Sequence, residues 1–127
     1  MQKIILVGLG GFIGAALRYL AGGAVQSLTH SISFPYGTLT VNIVGCFFIG
    51  MLTYLLEFQS GLAAEMRLFL IVGILGSFTT FSTFSNETVN LLQDRTFLLA
   101  FMNISVHLIL GLAAVLLGRF TVISLWR

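Results

Sequence analysis

Four apolar stretches, each close to the length of a membrane-crossing helix, occupy most of this sequence. They run over residues 4–25, 37–56, 68–92 and 97–125. A bilayer core about 30 Å thick requires roughly 20 predominantly apolar residues in helical conformation, and each stretch meets that requirement. The sequence therefore predicts an all-α membrane protein, with a single domain over residues 1–127 and four transmembrane helices.

The composition excludes the classes of protein that need a polar surface. Hydrophobic residues make up 57% and charged residues 8% of the chain, whereas charged residues form about a quarter of an ordinary globular chain. Disorder requires low hydrophobicity and high net charge, and a net charge of +2 is too small for a nucleic-acid footprint. The single cysteine, Cys46, excludes an internal disulfide and a multi-cysteine metal site.

Orientation in the membrane is only weakly encoded. We expect the first stretch to be retained as a helix, because few residues precede it and its apolar run exceeds that of a signal peptide. Four crossings place both termini on one side, together with Lys3, Arg67, Arg119 and Arg127, whereas Arg18 and Arg95 lie on the other. This asymmetry favours cytoplasmic termini only slightly. Insertion in both orientations, which would allow an antiparallel dimer, stays equally open.

Polar side chains deep in the apolar stretches are the candidate functional residues, because an unsatisfied polar group costs several kcal/mol in hydrocarbon. Arg18 shares one helical face with three glycines, Gly10, Gly14 and Gly22. It is either a side chain that snorkels to the interface or a fixed positive charge that attracts an anion. In the second stretch, Thr38 and Asn42 are one turn apart. Asn42 offers either a helix–helix hydrogen bond or a donor that lines a pore.

The fourth stretch carries a polar face of its own. Asn103, His107 and Gly111 share a stripe, and Ser105 points elsewhere. His107 is interpreted as a satisfied interior histidine or, less commonly for such a position, as a ligand or proton relay. No cysteine or carboxylate stands near it at a metal-ligand spacing.

The third stretch is the most unusual. Six hydroxyl side chains crowd into nine positions, Ser77, Thr79, Thr80, Ser82, Thr83 and Ser85, and Phe78, Phe81 and Phe84 interleave at intervals of three. Serine and threonine compete for helix hydrogen bonds, and irregular backbone survives at membrane depth only where it is buried or lines a cavity. The run therefore predicts a third helix broken in mid-membrane, whose freed carbonyls can hold a cation. The alternative is a continuous helix whose hydroxyls bond back to the preceding turn.

These residue types favour transport of a small anion over catalysis. Glu57, Glu65, Glu87 and Asp94 lie at or near segment ends, so no mid-membrane carboxylate is available for proton pumping. Neutral donors and one arginine suit an anion, and the positive edge of a phenylalanine ring can meet it without binding it too tightly. Since four short helices are too slim to enclose a pore, we expect at least a dimer and no enzymatic activity.

Three motifs make the chain similar to the Fluc fluoride channels, also called CrcB-like proteins. They are Gly-Gly-Phe-Ile-Gly-Ala-Ala-Leu-Arg (10–18), Tyr-Gly-Thr-Leu-Thr-Val-Asn (36–42) and Gly-Ser-Phe-Thr-Thr-Phe-Ser-Thr-Phe-Ser-Asn-Glu-Thr (76–88). The resemblance covers nearly the whole chain. It implies an antiparallel, dual-topology homodimer with two pores in the bacterial inner membrane. Passive, fluoride-selective conduction through these pores would relieve fluoride toxicity.

The resemblance also implies roles for individual residues. Pore or fluoride-contacting positions fall on Phe81, Phe84, Asn42, Thr38, Thr80, Ser82, Thr83 and Arg18, and a carboxylate beyond them on Glu87. A structural sodium ion at the dimer centre would be held by the backbone carbonyls of Gly76 and Thr79, although some members have Gly-Gly where this chain has Gly76-Ser77. On the fourth helix, Ser105 and His107 are the pore candidates, and Gly111 stands near a position where some members have serine or tyrosine.

Two alternatives to a channel stay open at this point. A small multidrug exporter subunit is similar in size and hydropathy, but such exporters use a first-helix glutamate, and here the first helix carries Arg18 and no carboxylate. A non-conducting accessory subunit would explain the glycine stripes but not the dense run of hydroxyl and phenylalanine side chains.

Overall fold

The computed structural model describes residues 1–57 and 63–125, and every regular element within those ranges is helical. Four helices are long and apolar enough to cross a membrane: Gln2–Thr29, Tyr36–Glu57, Ala64–Gln93 and Phe97–Leu125. The predictions of an all-α fold and of four candidate membrane spans are confirmed. The predicted connection between the second and third spans includes residues 58–62, which lie outside the described residues.

The first span, α1 (Gln2–Thr29), is longer at both ends than the predicted stretch 4–25. The predicted connection beginning at Gln26 is therefore wrong, because Gln26 belongs to the last turns of the helix. The chain leaves α1 at His30, whose backbone is left-handed with φ 50°. This residue starts the short connection to the second span.

The Gln26 side chain ties the end of α1 to the start of the second span, α2 (Tyr36–Glu57). Its Nε2 donates to the carbonyls of Ser31 and Phe34. Its Oε1 accepts from the Gly37 N–H at 3.0 Å, which satisfies one of the amide groups that a helix leaves free in its first turn. One amide side chain therefore closes the loop and caps α2.

The third span is assembled from several pieces. It begins with α3 (Ala63–Met66) and a π-helical segment (Arg67–Leu75), and continues with α4 (Gly76–Phe78) and α5 (Phe81–Gln93). In a π-helix each N–H reaches the carbonyl five residues earlier, a geometry that rarely extends beyond one turn. No feature of the sequence predicted this π-helical segment.

Glycines let α1 approach the π-helical segment to backbone contact. A Cβ atom on Gly10 would lie 2.5 Å from the Phe69 carbonyl oxygen, and one on Gly14 would lie 2.1 Å from the Ile74 carbonyl oxygen. Both glycines are buried. Gly10 and Gly14 of the glycine stripe recognised in the sequence thus form the surface on which the third span packs, whereas Gly22 of the same stripe lies against α2.

The last span, α6 (Phe97–Leu125), follows a tight turn and makes its most extensive contact with α2. Close approach again depends on glycine, since a Cβ atom on Gly118 would lie 2.1 Å from the Phe47 carbonyl oxygen. The outward faces of α1 and α6 expose large apolar side chains, among them Phe12, Leu112 and Phe120. Such surfaces suit contact with lipid or with another apolar chain.

Candidate functional site

The backbone between α4 and α5 leaves the helical conformation for two residues. Thr79 has φ −84° and ψ 158°, and Thr80 has φ −151° and ψ 116°. The Thr79 N–H and hydroxyl both donate to the Leu75 carbonyl at 3.0 Å, and the Thr80 hydroxyl accepts from the Thr83 N–H at 3.2 Å. These side chains close one helix and cap the next. The depth of this extended segment within a bilayer stays a prediction.

Asn42 on α2 satisfies the main-chain groups that the extended conformation frees. The Thr80 N–H donates to Asn42 Oδ1 at 2.8 Å, and Asn42 Nδ2 donates to the Thr80 carbonyl at 3.1 Å. Gly45 lies beside this pair, where a Cβ atom would come within 2.1 Å of Thr79 Cγ2. α2 therefore provides both a complementary amide and the space that the extended segment needs. Asn42 retains a second Nδ2 hydrogen for another acceptor.

A cleft of about 780 Å³ opens on one side of Thr80. It is lined by Arg18, Thr38, Thr80, Thr83 and Glu87, among others. The Thr38 hydroxyl donates to Glu87 Oε1 at 2.6 Å, and Glu87 Oε2 is buried without a hydrogen-bond partner among the described residues. The cleft therefore joins one guanidinium, several hydroxyls and two carboxylates, those of Glu87 and Asp94, in a single polar space.

A smaller cavity of about 300 Å³ lies beyond Thr80. Its lining includes Asn42, Cys46, Thr79, Phe81, Phe84 and His107. The Phe81 and Phe84 ring centroids are 5.5 Å apart, and the Phe84 and His107 centroids are 4.4 Å apart. Thr80 lines both spaces, so the cleft and this phenylalanine cavity meet at the residue that Asn42 holds.

Two residues of α6 connect the phenylalanine cavity to a buried polar pair. His107 Nδ1 lies 2.9 Å from the Asn103 carbonyl. Asn103, which is 0% exposed, donates from Nδ2 to the Thr88 hydroxyl at 2.9 Å, and Thr88 donates to the Phe84 carbonyl at 2.8 Å. The sequence analysis placed Asn103 on a polar stripe but missed Thr88. Thr88 could have been identified from its position one helical turn after Phe84, which places its hydroxyl near the Phe84 carbonyl.

The structure brings most of the predicted site residues to these two spaces. Lining the cleft are Arg18, Thr38, Thr80 and Thr83, and lining the phenylalanine cavity are Asn42, Gly76, Thr79, Thr80, Phe81, Phe84 and His107. The Ser82 hydroxyl lies 3.2 Å from the Thr80 hydroxyl but lines neither space. Ser105 also lines neither, so its role stays a prediction. Cys46 is a lining residue that the sequence analysis did not identify as part of the site.

The carbonyl oxygens of Gly76 and Thr79 fit the ligand type expected for a hard cation. Within residues 1–57 and 63–125, no backbone or side-chain donor is hydrogen-bonded to either oxygen. The extended segment removes the amides that a continuous helix would supply to these carbonyls. Both residues line the phenylalanine cavity. Unpaired carbonyl oxygens are suitable ligands for alkali and alkaline-earth cations.

Comparison with known proteins gives a consistent result along the whole chain. The family model described as CrcB-like protein, Camphor Resistance (CrcB), matches residues 5–119. The chain is 45% identical over 119 residues to fluoride-specific ion channel FluC 3 of Methanosarcina barkeri, covering 94% of this chain and 89% of that protein. It is 46% identical over 125 residues to FluC 1 of Methanosarcina acetivorans, and the match covers 98% of this chain and 94% of that protein. It is 46% identical over 124 residues to FluC of Shewanella woodyi, covering 98% of both chains.

Proposed function

The chain belongs to the CrcB-like family, and from this premise we propose that it is a passive, fluoride-selective ion channel. It is a multi-pass membrane protein. Its cellular role is to let fluoride leave a bacterial cell through the inner membrane and so to relieve fluoride toxicity. The observation that carries the proposal is the pair of spaces that meet at Thr80, one polar and containing the Arg18 guanidinium, the other lined by phenylalanine and asparagine.

The chemistry of the two spaces suits a small, strongly hydrated anion. The Arg18 guanidinium supplies a positive charge where an anion would enter the cleft. The Thr83 hydroxyl accepts from the Thr80 hydroxyl and keeps its own proton, so it is a donor that can replace hydration water. The Thr38, Thr80 and Ser82 hydroxyls would donate to the ion by exchanging the hydrogen bonds that they make within the chain. Hydrogen-bond donors that are already oriented stabilise a charge without reorganising. Conduction also requires that no single position bind too tightly.

Asn42 and the two phenylalanines carry the ion past the extended segment. The spare Nδ2 hydrogen of Asn42 is a neutral donor, and the Phe81 and Phe84 ring edges carry partial positive charge. These groups attract an anion weakly, so that it can enter and leave. The ion moves down its gradient and no covalent step or coupled reaction is required, so the protein is not an enzyme.

A second copy of the chain completes the pathway. The Phe81 ring is 79% exposed in the single chain although it lines the phenylalanine cavity. A partner that inserts in the opposite orientation would cover this ring and close the wall. The resulting antiparallel homodimer has dual topology and contains two pores. Its other surroundings are membrane lipid.

A structural sodium ion at the centre of the dimer is the second component of the proposal. The carbonyl oxygens of Gly76 and Thr79 would hold it, since both are free of hydrogen bonds within the described ranges. In the dimer the partner would supply the same two oxygens. Bound sodium would compensate the partial negative charge of these carbonyls and fix the extended segment.

Reconstitution into liposomes tests the proposed function. Vesicles that contain purified protein and are loaded with potassium fluoride or potassium chloride are followed with ion-selective electrodes. We expect fluoride efflux at a rate proportional to protein content and no chloride efflux above that of protein-free vesicles. Equal efflux of both anions, or none of either, would contradict the proposal. Uptake of a cationic dye driven by a proton gradient would indicate an exporter instead.

A further inference from the structure

His107 on α6 has one ring nitrogen bound and the other free. Its Nδ1 lies 2.9 Å from the Asn103 carbonyl oxygen. A carbonyl oxygen only accepts hydrogen bonds, so the proton of the neutral ring resides on Nδ1. The Nε2 atom is buried and has no hydrogen-bond partner among the described residues. The neutral ring therefore holds a bare lone pair at Nε2.

A bare lone pair on this ring is unsuited to contact with an anion. The ring lines the phenylalanine cavity and lies against Phe84, with centroids 4.4 Å apart. A fluoride ion accepts hydrogen bonds and donates none, so neutral His107 would repel it. Protonation at Nε2 turns the same atom into a charged donor, and the Nδ1 bond to Asn103 is unchanged. Hydrogen bonds from a charged donor are about twice as strong as neutral ones.

We propose that His107 is a proton-dependent fluoride ligand, which binds the ion through Nε2–H only when the ring is an imidazolium. This inference rests on the proposed channel function and adds to it a coupling between pH and fluoride affinity. The Phe84 ring supports the charged state, because an aromatic face attracts a cation placed within about 6 Å. By linkage, bound fluoride raises the proton affinity of His107 by the same factor that protonation raises fluoride affinity.

Few other charged or titratable groups face His107. The helices packed against α6 are α2 and α5. From α2, Cys46 lines the same cavity, and Glu57 stands at the distant end of that helix. From α5, Glu87 lines the cleft and is bonded to Thr38. On α6 itself, Arg119 lies three turns beyond His107. Cys46, on the wall of the same cavity, and Glu87, in the adjoining cleft, are therefore the groups whose titration needs separate controls.

The experiment measures the half-saturating fluoride concentration for flux at several values between about pH 8 and about pH 5, the range in which histidine changes charge. Protein-free vesicles at each pH correct for permeation of hydrofluoric acid. In the wild-type protein we expect the half-saturating concentration to fall by about fivefold or more as the pH is lowered, within the usual range for coupled binding. An unchanged value across the range would overturn the inference.

His107→Gln is the informative variant, because its amide nitrogen takes the place of Nε2 and donates at every pH. We expect a flat pH profile from it. His30→Gln is the matched control, since the only other histidine in the chain lies in the α1–α2 connection. His30→Gln should keep the wild-type flux and pH dependence. Cys46→Ser and Glu87→Gln remove the other titratable groups from the two spaces, and each should keep a decrease of the half-saturating concentration at low pH, whatever its effect on the absolute flux. Persistent pH dependence in His107→Gln would assign the effect elsewhere and refute the role of His107.

A measurement without flux covers the case in which His107→Gln does not fold. The 15N spectrum of histidine-labelled wild-type protein in lipid reports the imidazolium fraction of His107 at a fixed pH near the middle of the range. Fluoride should increase that fraction and chloride should not. No response to fluoride would contradict the inference. Flux at neutral pH tests the channel itself, so failure of the channel and failure of the coupling are distinguished.

Discussion

The two halves of the third span are held in place by different kinds of contact. The first half, residues 63–78, packs on α1 at backbone distance through the glycine surface that includes Gly14. The second half, α5, and the Thr80 residue that caps it are tied to α2 and α6 by hydrogen bonds between side chains or from side chain to backbone. The first half is held by close backbone packing, and the second half is positioned by hydrogen bonds between polar groups.

This difference separates stability from function within one span. Close backbone packing leaves no room for added atoms and does not depend on polar side chains. The first half of the span therefore serves as a rigid support. Polar pairs hold donors at fixed positions beside a cavity, and each pair can be changed with little change in volume. Substitutions in the first half should therefore affect folding, and substitutions around the second half should affect conduction. The following predictions test that distinction, beginning with the largest effect.

Gly14→Ala should have the largest effect, on folding. The new Cβ atom would lie 2.1 Å from the Ile74 carbonyl oxygen, and backbone on both sides cannot yield locally. Overpacking of this kind costs about 1–3 kcal/mol or more. Size-exclusion chromatography after extraction should show loss of the monodisperse species. Gly8→Ala is the matched control, since a Cβ atom on Gly8 meets no atom within 4 Å. A stable Gly14→Ala protein would contradict the role assigned to this surface.

Asn42→Asp should abolish fluoride flux. The aspartate can still accept from the Thr80 N–H, but it cannot donate to the Thr80 carbonyl, and when ionised it places a negative charge beside the anion route. Loss of an interaction of about 1–3 kcal/mol with the ion corresponds to about a 5- to 150-fold decrease of flux. Charge repulsion decreases the flux further. The liposome efflux assay measures the change. Wild-type flux in this variant would remove Asn42 from the pathway.

Phe84→Ile and Phe81→Ile should lower fluoride flux sharply without loss of the folded protein. Isoleucine retains apolar bulk but has no ring edge to attract an anion. Phe84→Ile also removes the ring that lies against His107, so we expect the larger decrease of flux in that variant. The expected decrease is about tenfold or more, and a tenfold change corresponds to about 1.4 kcal/mol. The measurement is fluoride efflux from liposomes for each variant, normalised to the fraction of protein that is monodisperse in size-exclusion chromatography. Wild-type rates in both variants would indicate that the rings serve packing only.

Thr88→Val should have the smallest effect on flux, because Thr88 lines neither the cleft nor the phenylalanine cavity. The substitution removes the hydroxyl that accepts a hydrogen bond from Asn103 Nδ2, and Asn103 is fully buried. A buried donor left without a partner lowers the free energy of unfolding by about 1–3 kcal/mol. We expect a lower thermal unfolding temperature with flux per folded protein nearly unchanged. Thr88→Ser retains the hydroxyl and is the control. A larger loss of flux than of stability would show that this pair also serves conduction.

Much of the site was predictable because its residue types are unusual for a membrane segment. Asn42, Thr80 and Phe84 stand out in apolar stretches, and the dense hydroxyl run over residues 77–85 predicted irregular backbone within it, although not at which residues. Their partners were not predictable in the same way. The pairing of Asn42 with Thr80 and of Asn103 with Thr88 depends on which helices are neighbours and at what height, and residue spacing within one helix carries no such information.

The sequence by itself determined that the chain crosses a membrane with four helices, because apolar length is a local property that needs no knowledge of packing. It also marked the third span as the main candidate for the functional site. Only the tertiary structure decided that the glycine surface of α1 packs against a π-helical segment and that the two spaces meet at Thr80. It alone decided that His107 directs Nδ1 to its own helix and that Nε2 is buried without a hydrogen-bond partner in residues 1–57 and 63–125. The first two outcomes follow from contacts between residues distant in the chain, which arise only once the helices are packed. The His107 bond is local, but the burial of its Nε2 again depends on the neighbouring helices.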